Sequence, residues 1–150
     1  MTTARTALAV FSFSFTLMAA DSFVGTWKLN MEKSRLQTNN IASETMKISE
    51  ASSTSDRIVI DVVLKSGETQ HQEFNRIPDG KEHPASGVGF KQEGATEIEQ
   101  IVSPSTRKIT SKRDGKVRGV IESSVSADGK VMTNHRTGGA GDEILVFERQ

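Results

Sequence analysis

The sequence predicts an all-β fold: one antiparallel up-and-down β-barrel of about eight strands, entered after an apolar leader. Three observations carry this expectation. The tripeptide Asp-Gly-Lys occurs at Asp79-Gly80-Lys81, Asp114-Gly115-Lys116 and Asp128-Gly129-Lys130, and Asp-Gly supplies the two positive-φ residues of a type I′ hairpin turn. The runs between such breaks alternate apolar with polar side chains, as Ile58, Ile60, Val62 and Leu64 do in RIVIDVVLK; that is strand periodicity. After residue 40 no segment shows an apolar period near 3.6. An open sheet of many short strands would leave long unpaired edges, and closure removes them.

The elements follow in order. Residues 1–20, MTTARTALAVFSFSFTLMAA, carry one charge at Arg5, an apolar run from Ala7 to Met18 and small residues at Ala19 and Ala20. This is a secretory signal pattern, cleaved after Ala19 or Ala20. The apolar run is shorter than the roughly 20 residues of a membrane span, so the expected location is secreted or periplasmic. Residues 21–150 then make one domain, with strands expected near 24–30, 43–50, 57–65, 69–77, 95–102, 106–112, 116–126, 130–137 and 143–149. Residues 31–42 hold either one short helical turn or a loop, and 78–90 form the longest irregular segment. Ser66-Gly67 and Ser103-Pro104-Ser105 supply further turns.

Composition narrows the function. The formal net charge is +0, so no basic surplus points to nucleic acid or an anionic membrane. Apolar residues are 35% of the chain, and the leader holds a large share of them. A thin apolar content favours a barrel that encloses one small ligand over one packed solid. There is no Cys, which removes disulfides as a stabiliser. His71, His83 and His135 form no metal-binding spacing; His71 and Glu73, two apart, share one strand face, expected to be turned to solvent. No Gly-x-Ser-x-Gly elbow is present, and GGAGD at 138–142 is a hairpin loop rather than a phosphate cradle. No metal, no cofactor and no catalytic residue is expected.

The stretch FVGTWKLN resembles the first strand of the calycins, the group of lipocalins and intracellular fatty-acid-binding proteins, whose Gly-x-Trp matches Gly25 and Trp27. The C-terminal DGKVMTNHRTGGAGDEILVFERQ is similar to the last hairpin of fatty-acid-binding proteins, with Phe147, Glu148 and Arg149 in the closing positions. GTWKLNMEKSR, DGKEHPASG, VSADGKVMT and VFERQ together resemble a family of small secreted bacterial lipocalin-like proteins. The resemblance implies a closed end sealed by Trp27 with Arg149 over it. It implies that Leu145 and Phe147 face inward where fatty-acid-binding proteins carry an anion-holding Arg and Tyr, and that Thr133 and His135 face inward beside them. A second anion-holding Arg would fall at Ser124, and the helical lid of that group has no room here. Alternation adds Ile60, Val62 and Phe74 to the expected ligand-contacting set. In strand 116–126 the resemblance turns Arg118, Val120, Glu122 and Ser124 inward while alternation prefers Val117, Ile121 and Val125, a conflict that a β-bulge would reconcile.

The expected function is binding of a small, mostly apolar ligand by a monomer, without catalysis. A buried carboxylate without a cation is costly, so neutral ligands are expected to bind better than fatty acids. An extracytoplasmic interaction or inhibitor module with a filled barrel is the alternative, and a cofactor-free barrel enzyme is a third reading.

Overall fold

The computed structural model describes residues 21–52, 54–89, 93–139 and 141–150; the expected leader, 1–20, lies outside them. Eleven strands form one antiparallel sheet: β1 (Gly25–Leu29), β2 (Ile41–Ser52), β3 (Ser55–Leu64), β4 (Thr69–Arg76), β5 (Asp79–Pro84), β6 (Gly87–Val88), β7 (Ala95–Ser103), β8 (Thr106–Arg113), β9 (Lys116–Val125), β10 (Val131–Thr137) and β11 (Glu143–Arg149). Across the sheet the order is β5-β7-β8-β9-β10-β11-β1-β2-β3-β4-β6. Sequence neighbours pair from β1 to β4 and from β7 to β11, and the first strand pairs with the last. This is the expected up-and-down meander, curled about a single core.

The strand count is eleven rather than about eight: the nine ranges expected are present, and the segment read as a long loop adds two. After β4 the chain lies along the free edge of β7 as β5, turns at Ala85 and Ser86, and adds β6 to the free edge of β4. Edge backbone groups need partners, and this excursion supplies some to both edges. The two ends of the sheet are therefore consecutive in the chain. Further in, Arg76 of β4 donates from Nε to Glu97 Oε2 of β7 at 3.0 Å, a side-chain tie across the same seam.

The three Asp-Gly-Lys copies take three different forms. At Asp114-Gly115 both residues have positive φ, 51° and 72°, which is the expected type I′ geometry joining β8 to β9. At Asp128-Gly129 only the glycine does, at 70°, and Gly129 N–H donates to Ser126 O at 2.8 Å. At Asp79-Gly80 there is no hairpin. Gly80 sits in a bulge of β5, where Asp79 pairs with Gln100 and Glu82 with Ile98. Residues 31–40 contain turns and no helix; Arg35 instead exchanges backbone hydrogen bonds with Ile144 at 2.7 and 2.9 Å.

Alternation sets the inner face. Ile58 is buried, with Ile60, Val62 and Leu64 on its face, while Val63 points outward. In β9 a bulge lies at Arg118, between the pairs Ser111–Gly119 and Lys112–Val117, but beyond it alternation prevails and the inward placement implied by the resemblance is corrected: Glu122 and Ser124 stand opposite His135 and Thr133 on the outer face. Ile121, Ser123 and Val125 face inward, whereas Val117 is exposed. The core comprises Phe23, Trp27, Leu29, Met46, Ile48, Ile58, Phe74, Val125, Met132, Leu145 and Phe147.

Trp27 and Arg149 are direct cross-strand partners on β1 and β11. Trp27 is 0% exposed and donates its indole N–H to Phe23 O at 2.9 Å. The Arg149 guanidinium carbon lies 4.2 Å from the indole centroid, within cation–π range. The same guanidinium donates to Gly129 O (2.6 Å), Val24 O (2.6 Å) and Ser22 O (2.7 Å). Gly25 must be glycine here: its φ is +152° and a Cβ would collide with the Arg149 guanidinium.

Trp27→Ala is expected to destabilise the fold by about 3–5 kcal/mol, the range for removing a buried aromatic. Arg149→Ala is expected to cost less, and the two losses in a denaturation double-mutant cycle are expected to be non-additive. Additive losses would show that the contact carries no coupling.

Candidate functional site

Inward-facing positions from seven strands converge on a cavity of about 50 Å³ inside the barrel. Its apolar wall is Met46 and Ile48 of β2, Ile58 and Ile60 of β3, Ile109 of β8, Ile121 of β9 and Met132 of β10, with Phe23 beneath. Its polar wall is Arg76, Glu99, Arg107, Ser123, Asn134 and Arg136. Two larger spaces adjoin it. At the open end a mouth of about 300 Å³ is lined by residues including Ile41, Glu44, Val62, Leu64, Gln70 and Gln72, and shares Ile60 and Arg136 with the inner cavity. At the seam a space of about 190 Å³ lies between β4, β7 and the β5–β6 excursion, and shares Arg76 and Glu99.

The interior is more charged than the sequence led us to expect. Arg107, 5% exposed, donates to Asp56 Oδ2 at 2.6 Å, to Glu99 Oε1 at 3.0 Å and, at shorter range, to Asp21 Oδ2. It also stacks 4.6 Å over the Phe23 ring. Burial acts to lower the Arg107 pKa, but Asp56, Glu99 and Asp21 outweigh it and raise it, so the guanidinium stays charged. Glu44 is the opposite case. It is buried, and desolvation raises its pKa; Arg136 pulls it down and Glu143 pushes it further up.

Three buried side-chain atoms have no hydrogen-bond partner among the described residues: Glu99 Oε2, Asn134 Oδ1 and Arg136 Nε. All three residues line the inner cavity. An unpaired buried polar atom costs free energy that its neighbours do not return.

The expected contact residues fall in different places. Ile60 lines the inner cavity and the mouth, Val62 the mouth, and Phe74 the seam space. Leu145 and Phe147 face inward but are 0% exposed, packed in the core rather than on a cavity wall. Thr133 and His135 must be corrected, because they face outward. Asn134 lies directly opposite Leu145 on β11 and Ser123 on β9, and directly opposite residues share a face. The expected register was therefore off by one, which flips every side chain of the strand. Met132, Asn134 and Arg136 take the inner face, and His135 pairs at the surface with Asp142 Oδ1 at 2.6 Å. Ser124 is exposed. Sequence reasoning missed Glu44, Glu99, Arg107, Asn134 and Arg136. In β10, Val131 and Met132 put one apolar residue on each face, so the strand itself carried no signal of its parity.

Closure of the meander by its first and last strands, with an arginine of the last over a tryptophan of the first, decides the comparison with known folds. The chain has the calycin fold. It is similar to the fluorescent protein UnaG with a TM-score of 0.62 and 16% identity over 86% of this chain and 98% of that one. It is similar to fatty-acid-binding protein 1 of Echinococcus granulosus (TM-score 0.59, 11% identity, 87% and 98% covered). It also resembles a Schistosoma mansoni fatty-acid-binding protein in complex with arachidonic acid (TM-score 0.58, 15% identity, 86% and 96% covered). No protein-family model matches the chain, and no curated protein matches it.

Glu44 generates a pH prediction. A carboxyl whose pKa is raised in the folded state binds its proton more tightly there, so its contribution is favourable at low pH and is lost as the pH rises through the folded pKa. Glu44→Gln is expected to raise the melting temperature at neutral pH, and the gain is expected to vanish below the usual carboxylate range. Thermal melts of both chains across pH test this; a gain that persists unchanged in acid would place its origin elsewhere.

Proposed function

We propose that this protein is a non-catalytic carrier of a small, mostly apolar ligand, held inside the barrel with its polar end in the inner cavity. The observation that carries this reading is the coincidence of three unpartnered buried polar atoms on one cavity wall, connected to an open mouth. The mouth wall is apolar along Ile41, Ile60, Val62 and Leu64, and its volume approaches the lower end of the range for small-molecule sites. Fatty-acid-binding proteins share the fold, and one of them is seen with arachidonic acid; both support a hydrophobic ligand here. The same reading includes export of a monomer after removal of residues 1–20.

A neutral dye that fluoresces in apolar surroundings is expected to be taken up by the purified protein. Ile60→Trp, which fills the wall common to mouth and inner cavity, is expected to weaken uptake by at least tenfold, a difference of about 1.4 kcal/mol. Equal uptake by both chains would place the dye outside the barrel, and no uptake would favour a filled interior that serves protein contacts.

N-terminal sequencing of protein recovered outside the cytoplasm is expected to begin at Ala20 or Asp21. An intact Met1 there would overturn the leader.

A further inference from the structure

We infer that the inner cavity selects a ligand whose polar end is a protonated primary amine rather than a carboxylate. This rests on the carrier reading and specifies the chemistry of the ligand's head.

Glu99 and Asn134 are each 5% exposed, both line the inner cavity, and each has a buried oxygen without a donor. Both oxygens are acceptors, so the complementary group must carry N–H or O–H. Glu99 also belongs to the cluster in which Asp21, Asp56 and Glu99 surround Arg107. Glu99 and Asp56 are buried with Arg107 while the Asp21 side chain is a third exposed, so at this depth two carboxylates share one guanidinium and leave a formal excess of one negative charge. The other cations on the wall do not offset it. Arg76 is tied to Glu97, and Arg136 stands at the mouth boundary within the field of Glu44.

A carboxylate placed beside Glu99 would add charge of the same sign and give neither oxygen a donor. An ammonium does the reverse: it has three N–H donors and no acceptor, and its desolvation is offset by a fixed opposite charge. A cavity of about 50 Å³ holds a head of that size, since a water molecule's share of liquid volume is about 30 Å³. The unpartnered Arg136 Nε–H, two residues along β10 from Asn134, needs an acceptor. A hydroxyl or carbonyl oxygen near the amine would meet it, so a long-chain amino alcohol matches all three atoms.

The test is displacement of a bound neutral dye by dodecylamine, dodecanol and dodecanoic acid near pH 7, each below its aggregation concentration. The amine is expected to displace the dye at about one tenth of the acid's concentration, which corresponds to about 1.4 kcal/mol. Glu99→Gln is expected to bring the amine level with the alcohol. Asn134→Leu, which leaves the Arg107 cluster untouched, is expected to weaken the amine at least threefold. An acid that competes as well as the amine on the unmodified chain overturns the inference while leaving the carrier reading intact. An amine preference unchanged in both variants overturns it as well, because the amine would then bind elsewhere. Failure of the dye to bind at all overturns the carrier reading and this inference together.

Discussion

The structure depends on one guanidinium. Arg149 sits where the chain's last strand meets its first, and its donors reach three backbone carbonyls from two separate segments while its face covers Trp27. A backbone carbonyl at a barrel end has lost part of its ladder and must find a donor or water. Arg149 answers three such carbonyls with one planar group in a fixed fork. Lys would offer a point charge and no plane to lie over the indole. Gly25 completes the arrangement by leaving the volume into which the guanidinium fits. Gly25 and Trp27 of the first strand and Arg149 of the last thus join the N-terminal segment, the β9–β10 turn and the C-terminal strand at the closed end.

Much of this was legible before any coordinates. The pattern Gly-x-Trp belongs to the first strand and Phe-Glu-Arg to the last, and alternation located Ile58, Ile60, Val62 and Leu64 correctly because Arg57, Asp61 and Lys65 mark the opposite parity as the outer one. The polar wall was not legible. Glu44, Glu99, Arg107 and Asn134 occupy inner positions that a hydrophobic pattern scores as outer. In β10 the alternation V-M-T-N-H-R offers one apolar residue to either face, so parity there is fixed only by pairing with Leu145 and Ser123. The turns failed for a related reason. Asp-Gly specifies a tight reversal locally, but at Asp79-Gly80 the free edge of β7 captured the backbone and turned the reversal into a bulge.

The interior shows how a barrel with few aromatics divides its inside. Toward the closed end, Trp27, Phe147, Leu145 and Met132 fill the space almost completely. Beyond them the wall changes to charges matched in part by each other. A buried ion pair is a weak source of stability, because desolvation consumes most of its attraction. The Arg107 cluster is therefore better understood as a means of holding carboxylate oxygens in place than as a source of folding free energy. Fixed dipoles and charges of that kind discriminate among guests by sign, which an apolar cavity cannot do.

The seam between β4 and β7 has a mechanical meaning. Elsewhere around the sheet neighbouring strands are joined directly by a backbone ladder, from three register pairs between β1 and β11 to ten between β2 and β3, and parting them would break its hydrogen bonds together. Here the two residues of β6 and the bulged β5 hold the edges, backed by the Arg76–Glu97 tie. Regions with few cooperative bonds open at lower free energy than the rest of a domain. The barrel is thus stiff around most of its circumference and compliant along one line, and the space beneath that line shares Arg76 and Glu99 with the inner cavity. An opening along this line leaves undisturbed the ladder that holds Trp27 in place.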